Sequence, residues 1–253
     1  MTDIGIIIVD TTNYVLANNA LINSVQKMSP AHVLAFTDHP GLWNEYDKQL
    51  IPKITCIEDY NDIILRQVVK HLQQDHYLVI QYDGFVVDPA RFEPQFLEFD
   101  YIGAPWPGVE NHSVGNGGFS LRSRRLMQAV ADHLDQRQMG EAEDLFICRT
   151  LRPTLEKTYK MRFAPVEVAE RFSFEAPLKN QQTFGFHGLL NLPIIYQDKL
   201  QFLFENLPLE FLRDRTNELT YASIFFDEPK KTELFQLLNT QTRKAFSENA
   251  VGE

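Results

Sequence analysis

The first half of this sequence predicts an α/β fold, a mainly parallel sheet flanked by helices, on three observations. IGIIIV at residues 4–9 is an unbroken β-branched run of the kind found in a strand buried on both faces. Ile63, Ile64, Val68 and Leu72 recur at helical spacing within DYNDIILRQVVKHLQQ. The elements also alternate in the order β-α-β-β-α-β, which calls for crossover connections. After the first strand, TTN at 11–13 supplies capping residues for a helix ending near Met28. HVLAFT (32–37) and KITCIE (53–58) read as the next strands, with TDHPG as loop between them. Asp59 or Asn61 caps the following helix, and HYLVIQYDGFVVD (76–88) opens on another strand.

The second half has a different texture. Residues 101–120, YIGAPWPGVENHSVGNGGFS, concentrate Gly, Pro and Asn ahead of a helix in LRSRRLMQAVADHL. EAEDLFICRTLRPTLEK begins a helical stretch that Pro153 bends or ends. RFAPVEVAERFSFE reads as strand and turn, and FGFHG (184–188) as a glycine-flanked loop. FLFENLPLEFLRD and TELFQLLNTQTRKAF read as amphipathic helices. No repeat or linker interrupts the chain, so residues 1–195 are expected to form one domain and 196–253 a helical C-terminal appendage packed on it.

Composition removes several function classes. The 253 residues hold 24 Lys plus Arg against 34 Asp plus Glu, a formal net charge of −10. That balance repels phosphate backbones, so no nonspecific nucleic-acid binding is expected. Two cysteines are too few for a disulfide framework, and MTDIGIIIVD lacks the basic start of a secretory signal. A cytoplasmic protein with no transmembrane segment is therefore expected. The amphipathic C-terminal helices are expected to bury against the domain, the alternatives being a contact peripheral to a membrane or a homo-oligomer contact. GxGxxG, GxxxxGK[ST], CxxC, HExxH and GxSxG are all missing, which removes the commonest dinucleotide, P-loop, zinc and serine-hydrolase signatures.

Four polar points remain, each with a structural and a functional reading. Asp83 ends the strand of QYDG and either closes a turn with Gly84 or holds a cation. Asn116-Gly117-Gly118 is either a hairpin turn or a backbone surface that a sugar or phosphate can approach. Glu143-Asp144 is either the acidic first turn of a helix or a catalytic pair. His187 in FGFHG is either a surface imidazole or a ligand.

Taken in order, QYDG, FDYIGAPWP, VGNGGFSLRSRRLM, AEDLFICRTL and FGFHG resemble the successive motifs of a family of mostly bacterial and fungal proteins. That family has long been catalogued as a domain of unknown function and is grouped with glycosyltransferases of the GT-A type. The resemblance covers roughly residues 55–190, and its most specific part is the combination of GAPW with GNGGFSLR. It implies a GT-A-like Rossmannoid single domain with a mixed, mostly parallel central sheet. It also implies transfer of a sugar from a nucleoside-diphosphate sugar to an acceptor hydroxyl on a glycan, a lipid-linked glycan, a protein or a modified base.

By that resemblance Asp83 takes the place of the metal-contacting aspartate of D-x-D, and Gln81 replaces the first aspartate. Asp83 with His187 implies a divalent cation, Mn²⁺ or Mg²⁺, and the imidazole tilts the choice toward Mn²⁺. Asp144 is the expected general base of an inverting displacement, a retaining enzyme being the alternative. Gly117 and Gly118 would face the donor sugar, with Trp106 as stacking wall or core residue. Thr11 and Asn13 are candidate base or ribose contacts on topology alone. Arg122, Arg124 and Arg125 are candidates to offset diphosphate charge, with a solvated helix face expected for at least two of them. A nucleotidyltransferase would need a Gly-rich, basic segment after the first strand, and VDTTNYVLANN is neither. The remaining alternative is a noncatalytic nucleotide-sugar or glycan binding module derived from a transferase.

Overall fold

The computed structural model describes residues 3–176, 182–208, 211–212 and 215–249. The chain forms two compact units, one built from residues up to 175 together with 182–187, the other from residue 188 onward.

The first unit is organised by a six-stranded sheet. β1 (Ile4–Val9), β2 (His32–Thr37), β3 (Asp47–Leu50) and β4 (His76–Ile80) run parallel, in register Ile8 against Ile80 and Val9 against Phe36. β5 (Tyr101–Gly103) and β6 (Ser120–Ser123) complete the order β3-β2-β1-β4-β6-β5, and β6 is antiparallel to both its neighbours. The result is a mixed, mostly parallel sheet flanked by helices. Successive residues of β1 feed opposite faces, as a strand buried on both sides requires. Ile6 and Ile8 join one core with Ala17, Leu21 and Phe119, while Ile7 and Val9 join the other with Ile64, Val68 and Phe146.

α1 (Tyr14–Met28) begins where Asn13 accepts the Leu16 amide at 3.2 Å, so the TTN reading holds. α2 (Ile57–Asp62) continues through a π turn at Ile63–Gln67 and a 3-10 turn at Val68–His71. α3 (Arg124–Ala131) follows β6 directly, capped by Ser123. α4 (Glu143–Leu145) runs through a π turn at Phe146–Thr150 into α5 (Arg152–Tyr159), with Pro153 in the first turn of α5, where its missing N–H costs no hydrogen bond.

Three local expectations are corrected. The third strand is the polar segment DKQL at 47–50, not KITCIE. An edge strand with partly exposed faces carries no apolar run, and the run at 53–58 instead leads into a helix. There Asp59 Oδ2 accepts the amides of Thr55 and Cys56 at 2.8 and 3.2 Å, which starts α2 at Ile57. RFAPVEVAERFSFE contains a helix, α6 (Val166–Phe172), launched by Pro165. FGFHG contributes a short strand, β8 (Gly185–Phe186), parallel to β7 (Ser173–Phe174).

In the second unit helices span Leu192–Ile195, Leu200–Asn206, Thr216–Tyr221 and Glu228–Asn249. Within FLFENLPLEFLRD, residues 209–210 and 213–214 lie outside the described residues. Among the described residues no helix is long and apolar enough to cross a membrane.

Candidate functional site

The carboxyl ends of β1 and β4 lie side by side in the sheet, and each is followed by an aspartate or a short turn leading to one. Asp10 leaves β1 with Oδ1 accepting the amides of Thr12 and Asn13 at 2.8 and 2.7 Å. Burial pushes the Asp10 carboxyl up from its ordinary range; the two backbone bonds pull it back, and Asp83 and Asp38 push it up again. Thr11 and Asn13 are buried beside it. Thr11 Oγ1 accepts the Ile54 amide at 2.9 Å, and Asn13 caps α1. Both therefore shape the loop under the site.

After β4, Gln81 and Gly84 exchange backbone hydrogen bonds of 2.8 and 3.0 Å, so Asp83 does sit in a tight turn. The turn does not exhaust its chemistry. Asp83 Oδ1 is buried with no hydrogen-bond partner among the described residues, and His187 Nε2 stands 3.8 Å from it. The same Nε2 is 3.3 Å from Gln81 Oε1, and Gln81 Nε2 donates to Tyr60 Oη at 3.0 Å. On its other side His187 Nδ1 faces Glu175 Oε1 at 3.9 Å. β8 positions this imidazole by delivering His187 just beyond its pairing with β7.

Asn116-Gly117-Gly118 enters β6 from the same end of the sheet, because β6 runs against β4. The hairpin reading fails here. A type I′ Asn-Gly turn needs positive φ, and among the described glycines only Gly108, Gly140 and Gly188 have it. Gly117 and Gly118 are small for a different reason, namely close approach. A methyl group at 118 would lie 2.1 Å from His187 Nε2 and 2.6 Å from Gln81 Oε1, and one at 117 would lie 2.0 Å from Glu143 Oε1. Asn116 is buried, with Oδ1 lacking a partner among the described residues. Trp106 lies against Gly115, where a methyl group would fall 1.9 Å from its ring, and Arg149 covers the indole at 5.0 Å. Trp106 thus backs the loop that carries the glycines.

The acid pair opens α4. Asp144 Oδ2 accepts the Gly117 amide at 3.1 Å, and Glu143 Oε1 accepts from Arg122 Nη2 at 2.9 Å. Burial opposes the charge of Arg122, but the adjoining Glu143 carboxylate outweighs it and holds the guanidinium protonated. Burial pushes the Glu143 carboxyl up against the pull of Arg122. The diphosphate option for the arginines is corrected. Arg122 is buried beneath the glycines, while Arg124 pairs with Asp75 and Arg125 with Asp100 at the amino end of the parallel strands.

The structure therefore gathers Gln81, Asp83, Gly117, Gly118, Asp144 and His187 into one neighbourhood, joined by contacts through Gly118 and Gly117. Sequence reasoning missed Asp10, Tyr60 and Glu175. The position of Asp10, directly after β1 and two residues beyond the Ile8–Ile80 register pair, was a usable signal; a helical tyrosine and a glutamate after FSF offered none. Among the described residues no group of three or more His, Cys, Asp or Glu side chains is placed to hold a metal ion.

A family model described as "Protein of unknown function (DUF5672)" matches residues 45–187. No curated protein sequence matches the chain. Among solved structures it is similar to the apo form of glycosyltransferase GlyE of Streptococcus pneumoniae TIGR4, at 13% identity and a TM-score of 0.47, over 74% of this chain and 54% of that one. The chain thus spans about half the length of the pneumococcal protein. It is also similar to a glycosyltransferase involved in glycosylation of the major capsid of PBCV-1, at 9% identity and a TM-score of 0.46, over 74% of this chain and 92% of that one. A third is the mannosyltransferase PcManGT from Pyrobaculum calidifontis in complex with GDP-Man and Mn²⁺, at 10% identity and a TM-score of 0.40, over 92% of this chain and 79% of that one.

Proposed function

The chain belongs to the DUF5672 family, and we propose that this member is a GT-A-like glycosyltransferase that moves a sugar from a nucleoside-diphosphate sugar to an acceptor hydroxyl by inversion. One observation carries the reading: a buried Asp83 oxygen with no hydrogen-bond partner among the described residues lies within one glycine-lined neighbourhood of an imidazole and a second carboxylate, Asp144. Open α/β sheets bind ligands beyond the carboxyl ends of their strands, which is where these groups stand.

The donor set fits a divalent cation that a substrate helps to hold. Asp83 Oδ1 and His187 Nε2 would supply one hard oxygen and one nitrogen to such an ion, the imidazole giving up its 3.3 Å contact with Gln81 Oε1 to do so. Such an ion, Mn²⁺ or Mg²⁺, would supply electrophilic stabilisation of the departing diphosphate. The chain's own residues do the rest. Gly118 lets His187 and Gln81 close against the loop beside Asp83, and Gly117 admits the Glu143 carboxylate beneath it. The Gly117 amide orients Asp144, which takes the proton from the acceptor hydroxyl as that oxygen attacks the anomeric carbon.

The test is a thermal-shift panel of UDP, GDP, CMP and dTDP, each with and without Mn²⁺. A nucleotide at about 100 times its dissociation constant adds roughly 2.7 kcal/mol, a rise of about 5 to 10 °C for a unit of this size. The reading expects one nucleotide to act, more strongly with Mn²⁺, and the matching sugar nucleotide to be turned over. A melting temperature that no nucleotide moves under either condition would overturn it.

A further inference from the structure

Among the described residues Arg122 is the least exposed Lys or Arg, at 1% of its surface, and it lies between Gly117 and Glu143. Burying a guanidinium costs several kcal/mol unless its donors are matched. Here Nε donates to Ser120 Oγ at 2.8 Å, and Nη2 donates to Gly117 O at 3.0 Å and to Glu143 Oε1 at 2.9 Å. Its planar face lies 5.3 Å from the Tyr101 ring centre, and the Tyr101 hydroxyl donates to the carbonyl of Gly115. Ser120 Oγ also donates to Gly117 O, at 2.9 Å.

Gly117 is thereby held on both sides of its Cα. Its carbonyl accepts from Arg122 and Ser120, and its amide donates to Asp144 Oδ2. Glu143, the residue before Asp144, is fixed by the same guanidinium group that fixes the Gly117 carbonyl. A methyl group at 117 would fall 2.0 Å from Glu143 Oε1 and 3.0 Å from Arg122 Nη2, so any side chain there must displace the Glu143 carboxylate.

We infer that Arg122, with Glu143 as its counter-ion, is a positioning residue that locks the Gly117 backbone to the Glu143-Asp144 pair and so sets where the Asp144 carboxylate points. The inference rests on the transferase reading only for what Asp144 does; the lock itself is geometric. A lysine cannot reproduce it, because a point ammonium on a flexible stem does not present the fork that engages three acceptors at once.

The experiment follows the Gly117 amide in ¹⁵N-labelled full-length protein. A hydrogen bond to a carboxylate displaces an amide proton downfield, and Asp144→Asn measures how much of the Gly117 shift that carboxylate causes. Arg122→Lys is expected to reproduce most of the Asp144→Asn displacement with Asp144 itself intact, and Glu143→Gln part of it, in the same direction. A merely structural arginine would leave that resonance where it is. A folded Arg122→Lys protein with an unmoved Gly117 amide overturns the inference. If Arg122→Lys does not fold, Glu143→Gln, which keeps side-chain size and one accepting oxygen, decides on the same criterion. Nucleotide binding is read on the same samples. An unmoved Gly117 amide in an Arg122→Lys protein that still binds UDP or GDP sinks this inference alone, and a displaced amide in Arg122→Lys when the unaltered protein binds no nucleotide sinks the transferase reading alone.

Discussion

At the amino end of the parallel strands Asp100 is buried with both oxygens engaged, whereas at the carboxyl end Asp83 keeps an oxygen with no hydrogen-bond partner among the described residues. Asp100 Oδ1 accepts from Ser123 Oγ and Arg125 Nε, each at 2.6 Å, and its Oδ2 accepts from the Arg162 amide at 2.8 Å. Burial raises that carboxyl's pKa, but Arg125, Ser123 and the Arg162 amide together bring it below the ordinary range. Asp10, at the other end, is left above it. The same residue type is buried at both ends of one sheet. Complete satisfaction marks a structural anchor, and an orphaned or destabilised carboxylate marks a place shaped for something the chain does not itself supply.

That contrast breaks if substitutions at the two ends behave alike. The largest expected effect is at Asp144. Asp144→Asn keeps an oxygen for the Gly117 amide, so the fold and nucleotide binding should persist while glycosyl transfer falls about 10²- to 10⁴-fold. Turnover of the sugar nucleotide alongside a melting curve checks both halves. A variant that loses stability instead would put Asp144 in the same class as Asp100.

Asp100→Ala should do the reverse. It leaves Ser123, Arg125 and the Arg162 amide without their common acceptor, at a cost of about 2 to 3 kcal/mol, or a fall of about 5 to 10 °C in melting temperature. Nucleotide affinity measured below that temperature should not change. A third substitution sharpens the carboxyl end. Gly118→Ala places a methyl group 2.1 Å from His187 Nε2, so the imidazole must move. Displacing a ligand or its support commonly weakens metal binding about 10- to 100-fold. Mn²⁺ titration by calorimetry in the presence of the nucleotide reads this directly.

The two ends also differed in how far the sequence disclosed them. β1, β2 and β4 were legible because buried parallel strands write continuous apolar runs, and α1 because Asn13 caps it. β3 was not, since an edge strand built from DKQL has no hydrophobic period to detect. At the site, motif order singled out Asp83, Asp144 and His187, which the structure brings into one neighbourhood, but motif order carries no geometry. The role of Arg122 was misjudged because an arginine beside two others reads as a charged helix face. Nothing in SLRSRR says that the strand ends between the first arginine and the next two, sending Arg122 into the core and the others to the opposite edge. Tyr60, which donates no motif, became visible only through its bond to Gln81.

The smallest effect is the most discriminating, because its sign differs between the two ends. Asp10 has a folded pKa raised mainly by burial, so the native state binds protons more readily than the unfolded chain. Its contribution to stability is fully present below the unfolded value, about pH 3.9, and is lost as pH rises through the folded value. For Asp100 the folded pKa is depressed, so its contribution is present above that same unfolded value and is lost as pH falls through the folded one. Asp10→Asn keeps an acceptor for the Thr12 and Asn13 amides and removes the unfavourable charge. It should therefore raise the melting temperature by a few degrees at pH 7, with the gain fading below about pH 4. Asp100→Asn should lower it at pH 7, with the loss fading over the acid range. Melting curves of both variants against pH, compared with the unaltered chain, should diverge in opposite directions from a common acid limit. Parallel curves would mean that the two carboxylates are buried under the same terms, and the distinction between an anchoring end and a binding end of this sheet would go with them.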